Sequence, residues 1–253
     1  METQLPVLDQ GFVRLDGITI SLSTLEDLIA LDSSYSEEDD DRMIAETNDL
    51  SVANAARASF AKRSDRLGDR ENRLIKRLAT ERHGAPFEHN LFRWHVKAPI
   101  FVAREWFRHR IGSFSEWSGR YSKMLPDFYV PDLNDVRTQV GDSMSYTFEP
   151  VAEAAAEDFL HELEDVNWLA WNSYEHALSR GIAKEVARLS LPLNLYTEFY
   201  WSVNARSLMN FLSLRNAPTA MLEIRRYAEA VEHIWSCFMP VTHDAFTDGR
   251  VAP

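Results

Sequence analysis

The chain is short of cysteine, of long apolar runs and of any broad positive face. Its one thiol, Cys237, has no partner within the chain, so an intrachain disulfide is excluded and a reducing compartment is expected. No stretch approaches the ~20 apolar residues of a membrane-spanning helix, and the first residues lack the basic-then-apolar order of a secretion signal. A cytoplasmic protein is expected, in the host's cytoplasm if the source is viral. The net charge of −12 leaves only local islands of positive charge, which argues against a nucleic-acid partner and for a small anionic ligand. What the chain does have is 253 residues with 45% hydrophobic content, enough to bury a sizeable core in one large domain or two small ones.

The first positive island is RHRIGSFSEWSGRYS, residues 108–122. Arg108, His109, Arg110, Ser118 and Arg120 supply guanidinium forks and hydroxyls of the kind that pair bidentately with phosphate oxygens. A solvated basic loop would have the same charges. The interleaved Phe107, Ile111, Phe114 and Trp117 favour a segment held against a core. A second island interrupts the apolar run from Glu185 to Arg215 with Arg188, Asn204, Arg206, Asn210 and Arg215. Such groups are costly to bury unpaired, so they either cap and pair with neighbouring chain or serve a ligand. On a helical wheel Asn204 and Arg215 share one side, and Arg206 and Asn210 another.

Patterning predicts an α+β fold, with a mixed or antiparallel sheet and a large helical complement. Residues 11–20 predict a strand or short hairpin with Gly17 at the turn. The acidic run Glu37–Asp41, within residues 33–48, predicts a solvated, mobile excursion and no metal site. Residues 50–77 read as helical, with Asp49 and Ser51 as possible caps. Residues 87–97 alternate as a strand, and Pro99 suits the first position of a helix that delivers the Arg-rich motif into a loop. A connector then runs to about Thr147, followed by an amphipathic helix over about 151–180 ending at Gly181, and a last third read as helical.

The run Arg108, His109, Arg110, seven residues, Ser118 resembles the signature of the flavin-dependent thymidylate synthases. GFV near residue 11, AARASF from Ala55, PFEH from Pro86, RWHVKAP from Arg93, SGRYSK from Ser118, EVARLSLPLNLYTEFYW from Glu185 and NARSLMNFLSLR from Asn204 extend that resemblance in the same order. It implies a single catalytic domain over 1–253, with an acidic insertion at about 18–48. It also implies a homotetramer with shared active sites. The reaction implied is reductive methylation of dUMP to dTMP, with methylenetetrahydrofolate as carbon donor and NADPH as reductant through FAD. FAD contacts would come from Ser59, His83, Arg108, His109, Arg110, Glu116, Asn204, Arg206 and Asn210. The dUMP contacts would come from Glu105, Trp106, Phe107, Arg108, Glu116, Trp117, Ser118, Gly119, Arg120, Arg188 and Arg215. Arg215 is the catalytic residue the resemblance implies, stabilising charge around N3 of uracil so that C5 becomes nucleophilic.

The commoner thymidylate synthases activate uracil with a cysteine thiolate. Cys237 is remote from both islands and flanked by Trp235 and Phe238, as expected of a buried structural thiol. Ser118 lacks a base at triad-like spacing, so it is expected to bind nucleotide rather than attack it. Glu105 would repel a phosphate unless screened by Arg104 or Arg108. Thr219 and Met221 depart from the family's pattern after Arg215, and so does Ala85, where some relatives carry a threonine. The alternatives are a flavin-free nucleotide-binding module that retains the phosphate contacts, a nucleic-acid binder, and a serine hydrolase on Ser118.

Overall fold

The computed structural model describes residues 1–22, 24–26, 36–142 and 146–252. Its centre is a five-stranded antiparallel sheet in the order β1 (Gln4–Val7), β2 (Gly11–Ile18), β3 (Leu91–Pro99), β7 (Tyr196–Asn204), β4 (Ser113–Glu116). β3 alternates as its sequence predicts, with Phe92, Trp94 and Val96 buried and Leu91 and Arg93 exposed. The other face of the sheet is polar: His95 bonds Arg14 at 2.8 Å and Glu198 at 3.0 Å, and Tyr200 stacks on its ring. A second ribbon pairs β5 (Arg137–Gly141) with β6 (Tyr146–Pro150).

Helices α3 (Ile100–Trp106), α6 (Ala205–Arg215) and α7 (Leu222–Phe238) cover the apolar face of the sheet. Trp106, Trp201, Phe199, Phe211 and Tyr227 interlock there, all fully buried. Beside them lie α1 (Glu37–Arg57), α2 (Asp69–Thr80) and α8 (Pro240–Thr247). The long α4 (Glu153–Ser179) and short α5 (Lys184–Ala187) form a smaller core with Met124, Tyr174 and Leu195. Gly181 follows α4 at φ +79°, the left-handed conformation expected of a residue just past a helix end.

Several expectations need correction. The acidic run is not a mobile excursion over its described part, because residues 37–48 are the first turns of α1. Ser36 and Asp39 form a reciprocal capping box, and carboxylates suit the positive end of a helix. Residues 23 and 27–35, in the expected insertion, lie outside the described residues. Asp49 and Ser51 start no helix. Asp49 is fully buried in α1 and instead caps α8, accepting from the Val241 and Thr242 N–H groups at 2.9 Å and from the Thr242 hydroxyl at 2.5 Å. The 50–77 helix is broken between Arg57 and Asp69. Gly17 sits at a register shift within β2, and the hairpin turn precedes it at 8–10. The Arg-rich loop contains β4, the connector contains the β5–β6 ribbon, and the last third contains β7. Pro99 ends β3, opposite Tyr196, and is the N-cap of α3, one residue before the first helical position expected of it. Cys237 is half-buried, not buried, with its thiol 3.6 Å from the His233 carbonyl.

Candidate functional site

The sheet brings the two islands together. α3 ends at Trp106, the chain turns through 107–112, and β4 then pairs with β7, with Ser113 opposite Ser202. Two residues past Ser202, β7 becomes α6, and Asn204 is the hinge: its side-chain oxygen accepts the Ser207 N–H at 2.8 Å as the N-cap. Gly112 is required in this crossing, since a Cβ there would lie 2.9 Å from both the Ser202 carbonyl and the Trp201 indole nitrogen. The helical wheel placed Asn204 and Arg206 on different sides. As a cap, Asn204 escapes that geometry, and Asn204, Arg206, Ser207, Asn210 and Arg215 line one cavity with the Arg-rich turn.

That cavity has a volume of about 830 Å³, and Arg108, His109, Arg110, Asn204, Arg206, Asn210 and Arg215 contribute to its walls. Sequence reasoning missed the walls formed by Glu88, Ile111, Ser207, Leu214 and Ala252. Glu88 is the acid of the PFEH run, and its partner Arg206, at 2.5 Å, lies 118 positions away, so no local signal could pair them. Among the described residues no carboxylate pairs with Arg108 or Arg110. The cavity therefore offers the Arg108 and Arg110 guanidinium groups and the Asn210 amide beside apolar Ile111 and Leu214, a donor set that fits an anionic ligand carrying a flat apolar ring. FAD has that character.

Arg215 is the most constrained of these groups. Its Nη1 lies 2.7 Å from a Glu105 carboxylate oxygen, its Nη2 donates to the Glu105 carbonyl at 3.2 Å, and its Nε donates to His109 Nε2 at 3.0 Å. Each guanidinium nitrogen donates once within the protein, which leaves the second N–H of each terminal nitrogen for a ligand. His109 accepts that bond, so its proton is on Nδ1. Burial first, and then the neighbouring Arg215 charge, push its pKa from 6.5 down to about 4, leaving the ring neutral near pH ~7. The expected screen for Glu105, Arg104 or Arg108, is in fact Arg215.

Other predicted residues fall elsewhere. Ser59 and His83 line a second cavity of about 990 Å³, with Arg57, Lys62, Arg70, Arg73 and Arg77 around it. The two cavities flank the 3-10 turn Ala85–Glu88, which gives Ala85 and Pro86 to one and Glu88 to the other. Ser118, Gly119, Arg120 and Arg188 form a third group. A Cβ on buried Gly119 would lie 2.7 Å from the Met124 sulfur and 3.4 Å from Arg188, so a larger residue there would push the Met124 side chain aside. Arg120 pairs with Glu185 at 2.7 Å, but both are exposed and the pair contributes under about 1 kcal/mol, too little to hold Arg120 against a ligand. Ser118 Oγ accepts from the Arg120 N–H, and no His or acid hydrogen-bonds to it among the described residues. Trp117 donates its backbone N–H to the Glu198 carbonyl at 2.8 Å. Glu116 accepts from the Thr197 hydroxyl at 2.9 Å. The side chain of Trp106 is fully buried, so only its backbone can face a ligand. Phe107 packs on Phe114 and Phe199.

Residues 42–241 match the family described as thymidylate synthase complementing protein. A flavin-dependent thymidylate synthase from Thermotoga neapolitana is 42% identical over 246 residues, which span 96% of this chain and 94% of that one. Another, from Thermus thermophilus, is 38% identical over 244 residues, 96% of this chain and 78% of that one. The crystal structure of the UMP/dUMP methylase PolB from Streptomyces cacaoi, bound with 5-Br UMP, superposes with a TM-score of 0.79 at 34% identity over 98% of each chain.

Proposed function

We propose the following reading for this chain, which belongs to the flavin-dependent thymidylate synthase family: the 830 Å³ cavity holds FAD, and Arg215 at its edge activates uracil. The chain is a dUMP-methylating enzyme that depends on FAD. NADPH and methylenetetrahydrofolate are the usual co-substrates of its family. The observation that supports the cavity assignment is the convergence of Arg108, His109 and Arg110 with Asn204, Arg206, Asn210 and Arg215 on one volume with apolar walls. Bound there and reduced by NADPH, the flavin would supply the hydride that completes the methyl group.

The residues of the chain divide the remaining tasks. Arg108, Arg110 and Arg206 neutralise the cofactor's phosphates, and the Asn210 amide orients it. Arg215 presents its two spare N–H groups to the N3 and carbonyl edge of uracil, where negative charge develops as C5 attacks. Because Glu105 and His109 fix that guanidinium beforehand, little reorganisation is needed during reaction, a form of stabilisation worth a few kcal/mol per donor. Neutral His109 can accept the Arg215 N–H only while unprotonated. Ser118, Gly119, Arg120 and Arg188 hold the nucleotide phosphate and sugar, and Ser59 and His83 line the neighbouring space.

The chain acts as one catalytic domain in the cytoplasm and assembles as a homotetramer in which the separate groups meet across subunits. The exposed apolar side chains of Trp168, Leu169 and Leu189 support such an assembly. The test measures dTMP formed from dUMP, methylenetetrahydrofolate and NADPH, with and without FAD. UMP is run beside dUMP, because the Streptomyces protein is described as a UMP/dUMP methylase. Arg215→Ala should lose most turnover, on the order of 100-fold, and keep its flavin absorbance. No product with all four components present would overturn the reading, and protein that stays colourless after FAD is added would point to a flavin-free nucleotide binder.

A further inference from the structure

Behind the Arg215 cavity lies a buried carboxylate that the reading above does not use. Glu232 is on α7, 8% exposed, and it receives four hydrogen bonds from three other parts of the chain. Asn216 donates to it at 2.5 Å, His243 on α8 lies 3.2 Å away, and Arg250 engages it bidentately at 2.7 and 3.1 Å. Burial alone pushes this carboxyl up, but the His243, Arg250 and Asn216 bonds outweigh it and hold the pKa down to about 2.

The partners give Glu232 its direction. Asn216 is the C-cap of α6, immediately after Arg215, and its N–H closes the last turn on the Leu212 carbonyl. Arg250 follows α8 in a left-handed conformation, φ 47°, with its N–H on the Phe246 carbonyl at 2.7 Å and its guanidinium over the Phe246 ring. A non-glycine residue at positive φ costs about 1 kcal/mol or more, and here it turns the chain so that Arg250 reaches Glu232 and Ala252 reaches the cavity wall. A buried ionic cluster seldom adds net stability over apolar packing, whereas it does specify geometry.

We propose that Glu232 is a positioning residue for Arg215: clamped by Arg250 and His243, it grips Asn216 and thereby fixes the turn of α6 from which the Arg215 guanidinium projects. This rests on Arg215 being the activating residue, as proposed above. A guanidinium displaced by about 1 Å still binds anions but no longer meets developing charge in line, so the loss falls on turnover rather than on substrate affinity.

The experiment uses the full-length, FAD-loaded protein as wild type, Asn216→Ala, Glu232→Gln, Arg215→Lys and the Asn216→Ala/Arg215→Lys pair. Asn216→Ala and Glu232→Gln should lower kcat about tenfold, with KM for dUMP and flavin absorbance per subunit changed less than about twofold. In the Arg215→Lys background, Asn216→Ala should add no further loss, because both changes act through one group. Independently of turnover, 15N NMR should show the Arg215 Nε–H exchanging with water faster in Asn216→Ala than in wild type. Unchanged kcat and exchange in folded Asn216→Ala would overturn the proposal, as would losses that add in the pair or that track loss of flavin. If wild type makes no dTMP, the functional reading fails instead, and the NMR measurement alone decides whether the clamp holds Arg215.

Discussion

Glu105 and His109 hold the same guanidinium by opposite means, one through charge and the other through a neutral lone pair. The second contact is sensitive to pH. His109 has a pKa of about 4 in the folded chain against 6.5 for the free group, so the folded state binds fewer protons than the unfolded state between those values. The contribution of neutral His109 is complete above pH ~6.5 and is lost as pH falls towards ~4, amounting to up to about 3 kcal/mol. Wild type should therefore lose more stability than His109→Gln between about pH 7 and 4, read as the difference in denaturant midpoints, and parallel curves would refute a His109 held neutral by burial and the Arg215 charge. The residues around Arg215 were legible in the chain because guanidinium and amide groups are conspicuous in an apolar background. Their pairings were not, since Glu105, Glu88 and Glu232 reach partners that only the fold brings near.

At the scale of elements, the clearest misreading concerns β7. Its buried Phe199, Trp201 and Val203 alternate with Glu198, Tyr200 and Ser202, but the strand passes into α6 without a break, and Asn204 belongs to both. A strand running straight into a helix leaves no turn residue to mark the change of period. β3 was legible because it alternates regularly up to Pro99, although the end of the 3-10 turn Ala85–Glu88 was read as its first residues and the strand starts only at Leu91. The acidic start of α1 was misread for a different reason: like charges in a row suggest solvation, but at a capped helix N-terminus they meet the positive end of the dipole. Asp49 shows how far such capping can reach, since it lies 192 positions before Val241 in sequence, yet binds it directly. Asp49→Ala leaves the first N–H groups of α8 buried without an acceptor and should lower unfolding free energy by about 2–3 kcal/mol in denaturant titration. Burial raises the Asp49 pKa to about 6 from 3.8, so the folded state binds more protons between those values, and its stabilisation is greatest below pH ~4 and falls as pH rises through ~6. The gap between wild type and Asp49→Ala should accordingly be wider near pH 4 than near pH 7, and a gap that widens with pH would contradict a buried, protonatable cap.

On the scale of the whole molecule, the proposed site residues occupy three places rather than one. Arg215 and the RHR turn share the 830 Å³ cavity, Ser59 and His83 line the 990 Å³ cavity, and Ser118 to Arg120 gather with Arg188 beside Met124. Within the described chain these groups lie apart, so the collinear motifs that made the family legible could not reveal which of them meet. In the shared-site homotetramer proposed here, the Arg188 group of one subunit faces the Arg215 cavity of another. Arg188→Ala and Arg215→Ala would each lose most turnover alone, but co-expression as a mixed oligomer would place both native arginines in some sites. With random assembly and one arginine from each of two subunits, roughly a quarter of sites carry both, so the mixture should recover roughly a quarter of wild-type kcat. Purified mixed oligomers carrying distinct tags on the two variants make this measurable. If both arginines serve a site from the same chain, every site lacks one of them and the mixture stays as inactive as its components, which would reject the shared arrangement while leaving the flavin cavity intact.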